Sequence, residues 1–236
     1  MDTPTGIAVT SFLVGLSGAM MPGPVLTVTI GEAAARLKGG GSGSARAAGG
    51  SQGAAGRGLL VRAALAGPLI VLGHAILEVC LVIAIVLGLG RFLAETPVLG
   101  TIGVIGGAVL VWMAWGMFRG MRELTLQTVA ALPGRNPVLA GILTSLSNPY
   151  WTVWWATIGL GYIALSMRFG VGGLLAFYLG HILSDLVWYS AISLSLAVGH
   201  RLLTDRVYRG LVAVCASFLL VFGLYFGYMG VRALVI

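Results

Sequence analysis

Six apolar segments, at about 7–35, 66–90, 98–118, 138–166, 171–199 and 210–231, leave little of the chain for anything but membrane crossings. Each meets the ~20 residues that an α-helix needs to traverse a ~30 Å hydrocarbon core. Those longer than 25 residues must tilt, break or extend beyond the bilayer. Only 9% of the residues are charged and the mean hydropathy is +1.00, far from the roughly 25% charge of a soluble domain. The expected fold is an all-α membrane protein of six transmembrane helices in one domain, 1–236. The N-terminal MDTPTG lacks a basic n-region, and the first apolar run exceeds a typical signal h-region, so no cleavable signal peptide is expected.

The net charge of +7 reports topology rather than a nucleic-acid partner. Eleven of the 14 Lys and Arg residues follow the first, third and fifth segments: Arg36, Lys38, Arg46, Arg57, Arg62, then Arg119, Arg122, Arg135, then Arg201, Arg206, Arg209. Arg91, Arg168 and Arg232 lie on the other side. The positive-inside rule then puts the three basic loops in the cytoplasm and both termini outside. One of those loops, residues 38–58, is rich in Gly, Ala and Ser and reads as flexible. Its GGSQG matches a nucleophile-elbow pattern, but lacks the strand and helix that such an elbow needs.

Two ionisable pairs stand inside apolar segments. GHAILE at 73–78 and GHILSD at 180–185 share the order Gly-His-x-x-x-acid, 107 residues apart. The same offset carries Gly103, Gly116 and Gly120 onto Gly210, Gly223 and Gly227. With Pro22 paired to Pro149, the first segment corresponds to the fourth once the loop is treated as an insertion. Repeat one is then 1–120 and repeat two 138–236. Three helices per repeat invert the second copy, the arrangement common in secondary transporters.

Spacing at i, i+4 stacks His74 with Glu78 and His181 with Asp185 on one helix face. Both acids fall at segment midpoints, where an ionisable side chain costs at least ~2.5–3.5 kcal/mol and marks function. These four residues are candidates for proton coupling, and Glu78 and Asp185 for an ammonium group. Proline should break the first and fourth helices, at Pro22, Gly23 and Pro24, and at Asn148 and Pro149. Half-helix N-termini there would suit a carboxylate, with Asn148 as a natural cap. Tyr150, Trp151, Trp154, Trp155 and Trp188 could hold a cation against their ring faces. Gly103/Gly107, Gly116/Gly120 and Gly223/Gly227 give small-residue faces for close helix approach, and would also permit a homodimer. Cys80 and Cys215 read as unpaired packing residues, and His200 as a solvated loop residue beside Arg201.

MPGPV in the first helix, SNPYWTVWWATIG in the fourth and GHILSDLVWY in the fifth resemble the lysine-exporter (LysE/RhtB) family of bacterial translocators. The resemblance spans nearly the whole chain outside the Gly-rich loop, which departs from the family's usual short connection. It implies a multi-pass protein of a bacterial or archaeal plasma membrane that exports amino acids, with protons as the coupling ion and no cofactor. It supports Pro22, Gly23, Pro24, Asn148 and Pro149 as site-forming, and says less about His74 and Glu78. A divalent-metal exporter using the two His and two carboxylates is the alternative. An intramembrane enzyme lacks support, because neither His-Glu-x-x-His nor a credible nucleophile appears.

Overall fold

The computed structural model describes residues 3–20, 23–38, 52–93, 95–123, 136–199 and 204–235, and every element among them is helical. α1 is Pro4–Ala19, α2 Pro24–Lys38, α3 Gln52–Ala64 and α4 Ala66–Ala84, the last continuing through a π turn to Leu93. α5 is Thr96–Gly120, α6 Pro137–Leu146, and α7 begins at Pro149–Trp154 and continues through a π turn, Trp155–Gly159, to Ser166. α8 is Gly170–Gly199 and α9 Asp205–Val235.

Four of the described helical runs are long and apolar enough to cross a membrane: Gly56–Leu93, Thr96–Gly120, Pro149–Gly199 and Asp205–Val235. α1 with α2 makes a fifth if a pair bent by 73° counts as one crossing. The 51-residue run turns within itself, at the 3₁₀ turn Met167–Phe169 and at Gly170, whose φ of +59° suits glycine. The chain is an all-helical, multi-pass membrane protein.

Both expected breaks are present. The first segment separates into α1 and α2 around Met20–Gly23, and the fourth into α6 and α7 at Ser147–Asn148. Pro24 and Pro149 each open the second half-helix, where the missing N–H costs nothing. Pro22 lies outside the described residues, as do Lys38's side chain, Arg46, Arg135, His200 and Arg201.

The expected 38–58 loop needs correction at its far end. Residues 39–51 lie outside the described residues, but Gln52–Gly58 already belong to α3. The helix carries good formers at Arg57, Leu59, Leu60, Arg62, Ala63 and Ala64, and it is tied down. Ser193 Oγ donates to the Ala64 carbonyl at 2.7 Å, and Arg36 Nη1 to that of Arg62 at 3.2 Å.

Helices pair closely because small residues line the contacts. α1 lies along α8, α6 along α4, and α5 along α9. Ser11 Oγ donates 2.7 Å to the Phe177 carbonyl across the first pair. In the second, a Cβ on Gly73 would collide with the Val138 carbonyl, and one on Gly141 with that of Ile70. In the third, Gly103 and Gly107 meet Gly223, Gly227 and Gly230 backbone. Those glycine faces are therefore used within one chain, while Gly116 and Gly120 face open space. Cys215 is buried, whereas Cys80 is exposed rather than packed, and both are free.

Gly73→Ala and Gly141→Ala should each cost on the order of 1–3 kcal/mol, because the obstruction is backbone that a rotamer change cannot relieve. Gly116→Ala should be neutral. Thermal unfolding of the three variants in detergent checks the contrast.

Candidate functional site

α4 and α8 cross with their polar faces together, so the two i, i+4 pairs form one cluster rather than two local ones. His74 Nε2 lies 2.9 Å from Glu78 Oε1 on its own helix and 3.8 Å from Asp185 Oδ2 on the other. His181 Nε2 lies 3.3 Å from Glu78 Oε2 and 3.8 Å from Asp185 Oδ2. One ligand atom from each of the four residues lies within 4.8 Å of the others, and all four side chains are buried.

Glu78 is the hub. Its relative exposure is 0%, and an uncompensated carboxylate there would be prohibitive. Trp151 Nε1 donates to Glu78 Oε1 at 3.0 Å and Trp155 Nε1 donates to the same oxygen at 2.8 Å. These tryptophans reach the site because α7 restarts at Pro149 and winds into the Trp155–Gly159 π turn. Gly159 leaves room for the Trp155 ring, since a Cβ there would come within 2.5 Å of it. At Trp151 and Trp155 it is the indole N–H edge that meets the Glu78 carboxylate.

The histidines are held differently. Ser145 Oγ, at the end of α6, lies 2.7 Å from His74 Nδ1. A hydroxyl both donates and accepts, so this contact serves either imidazole tautomer. His181 is gripped by rings instead: it stacks on Trp154 with centroids 4.6 Å apart, and meets Trp155 edge-on at 5.6 Å. Its Nδ1 has no hydrogen-bond partner, and neither have Glu78 Oε2 and Asp185 Oδ2.

A cavity of about 60 Å³ opens on this cluster. His74, Glu78, His181 and Asp185 line it, together with Gly23, Asn148 and Trp151. Pro24 and Pro149 do not line it; they stand at the first turns of α2 and α7. Asn148 Oδ1 accepts from Tyr150 N–H at 3.1 Å, so part of the α7 N-terminus is already capped. α2 follows Gly23, which has no side chain to cap with. Trp188, expected beside Asp185, does not line the cavity; Tyr189 takes that place one residue on. Gly15, Gly18, Phe218 and Ser145 are further residues at or behind the wall that sequence patterning did not single out. Ser145 carried a weak signal, as a hydroxyl one turn before the Asn-Pro break. The glycines and Phe218 carried none.

A cavity with four buried ionisable side chains in its otherwise largely apolar wall, set beside two helix interruptions inside an all-helical membrane protein, is the organisation of a membrane translocator. Residues 60–230 match the LysE type translocator family, and the chain belongs to that family. The protein YcgF of Bacillus subtilis (strain 168) is 29% identical over 150 residues, which cover 62% of this chain and 72% of that protein. Its name gives it a provisional role in amino acid efflux. No solved structure matches the chain significantly.

Removing indole donors should cost about 1–3 kcal/mol for each hydrogen bond lost to the buried carboxylate. Trp155→Phe should therefore lower the melting temperature, and Trp151→Phe/Trp155→Phe should lower it further. Trp115→Phe, at an exposed ring, should leave it unchanged; differential scanning fluorimetry in detergent reads all three.

Proposed function

We propose that this translocator is a secondary transporter that exports amino acids, or related small amino compounds, from the cytoplasm in exchange for protons. The observation that carries the reading is the pair of buried carboxylates, Glu78 and Asp185, facing one cavity beside two helix interruptions. An amino acid brings an ammonium and a carboxylate, and the cavity has a complement for each. Asp185 Oδ2, buried and without a hydrogen-bond partner, receives the ammonium. Glu78, already engaged by two indoles, holds the histidines in place and carries charge for the proton step. The substrate carboxylate sits at the start of α2, where Gly23 and Val25 line the cavity and the helix dipole favours an anion. The efflux in YcgF's name supports outward movement, and membership of a translocator family supports transport.

The architecture that goes with this function has six spans in two inverted repeats, 1–120 and 138–236, with both ends outside. Its support lies in how the helices pair. Exchanging the repeats carries α1 onto α6 and α8 onto α4, so the α1–α8 contact and the α6–α4 contact become equivalent. Ser11 approaches the carbonyl of Phe177, Gly141 approaches that of Ile70, and those two acceptors are 107 residues apart. Rocking of one repeat against the other would present the cavity to each side in turn. Protonation of Asp185 from the acidic side then releases the ammonium, because the neutral acid no longer holds it. Deprotonation on the cytoplasmic side restores the site, which gives antiport with balanced charge at the carboxylate.

Purified protein in liposomes loaded with single amino acids, basic, neutral and hydroxylated, should show efflux accelerated by an acidic exterior. Glu78→Gln and Asp185→Asn should each abolish that acceleration. Wild-type rates in both variants would overturn the assignment of the acids.

A further inference from the structure

We infer that His74, Glu78, His181 and Asp185 form a binding site for one divalent transition-metal ion of the Zn²⁺ or Co²⁺ class. The inference goes beyond amino acid export and does not depend on it.

The donor set is right in kind and in number. Two imidazoles and two carboxylates suit first-row divalent ions of borderline softness. With both imidazoles neutral the four groups carry two negative charges, which a dication cancels within the low-dielectric interior. The spacing also fits. Ligand bonds of ~2.0–2.2 Å at tetrahedral angles put donor atoms roughly 3.3–3.6 Å apart. With Glu78 Oε2 and Asp185 Oδ2 as the oxygen donors, three of the nitrogen–oxygen separations are 3.3, 3.8 and 3.8 Å, and His74 Nε2 lies 2.9 Å from the other Glu78 oxygen, Oε1. Each helix supplies a chelating i, i+4 pair, so the site needs no loop to close around the ion.

A second, independent observation points to a ligand. Asp185 Oδ2 is buried and lacks a hydrogen-bond partner, Glu78 Oε2 is buried with only the ion-pair contact of His181 Nε2 at 3.3 Å, and both side chains line the cavity. Buried polar atoms are rarely left without a partner, and a cation lying between the two carboxylates satisfies both. The surroundings match as well. A metal-bound histidine usually hands its other ring nitrogen to a hydrogen-bond partner, and a bound carboxylate is itself held by donors. Ser145 Oγ stands 2.7 Å from His74 Nδ1, and two indole N–H groups hold the other oxygen of Glu78. On binding, neutral His74 takes its other tautomer, the Nε2 proton being given up as Nδ1 gains one, and Ser145 turns from donor to acceptor, so the Ser145–His74 hydrogen bond is kept while the metal replaces the Nε2–H contact to Glu78.

The test uses the full chain purified in detergent and titrated with Co²⁺, then competed with Zn²⁺. The wild-type protein should develop the intense visible bands of four-coordinate Co²⁺ at one ion per chain, and Zn²⁺ should remove them. Asp185→Asn and His181→Ala should abolish the spectrum. Ser145→Ala, which leaves all four ligands, should weaken affinity by ~10–100-fold. Cys80→Ser should leave the spectrum intact, excluding the exposed thiol as its source. Circular dichroism and a monodisperse elution profile identify variants that remain folded. Absence of the bands in wild type, or bands that survive in folded Asp185→Asn and His181→Ala, overturns the site. Wild-type protein that exports amino acids yet binds no Co²⁺ removes this inference and leaves export standing.

Discussion

Glu78 has no exposed surface, and a carboxylate so placed needs donors from every direction. They come from three parts of the chain. His74 approaches from its own helix, Trp151 and Trp155 from α7, and His181 from α8. Each of these contacts is a condition on how helices cross. α4 must bring its polar face to α8, and α7 must restart close enough for two indoles on successive turns to reach one oxygen. Losing one partner of a buried charged cluster is far more damaging than never having had it, so this single residue ties the core of the protein together.

The helix interruptions and the glycine contacts can be understood from that requirement. An unbroken fourth segment would continue along the direction of α6, and Trp151 and Trp155 would follow it. The Asn148–Pro149 break frees α7 to change course, and Asn148 caps it at once, so the restart leaves fewer backbone donors unpaired. α6 in turn lies against α4 through Gly73 and Gly141, where backbone meets backbone. That close approach also delivers Ser145 to His74. Polar side chains and small residues therefore act as one system, the small residues setting distances that the polar ones need.

Much of this organisation can be read from residue patterns. The apolar segments announced helices, Pro24 and Pro149 announced breaks at both places where helices restart, and i, i+4 spacing announced that each histidine faces its acid. Other parts had no local signature. The loop reading of 38–58 failed at Gln52–Gly58 because Gly-rich composition hid the helix formers that follow it, and because contacts to Arg36 and Ser193 anchor the segment. The ring faces of Trp151 and Trp155 suggested a cation, and nothing in their spacing announced that both N–H edges would meet one carboxylate oxygen. Trp188 stands on the correct helix but is displaced from the cavity by Tyr189, a difference of one residue that helix rotation decides.

Taken by itself, the sequence determined that the chain lies in a membrane, that its helices break at two prolines, and that two His–acid pairs sit inside apolar surroundings. Those properties depend on composition and on spacing within one helix, which neighbouring residues settle. That the two pairs meet was decided only by tertiary structure, as were the clamp of two indoles on Glu78 and the support of His74 by Ser145. Such contacts join residues more than 70 positions apart. They depend on the crossing and rotation of whole helices, and no local pattern encodes those.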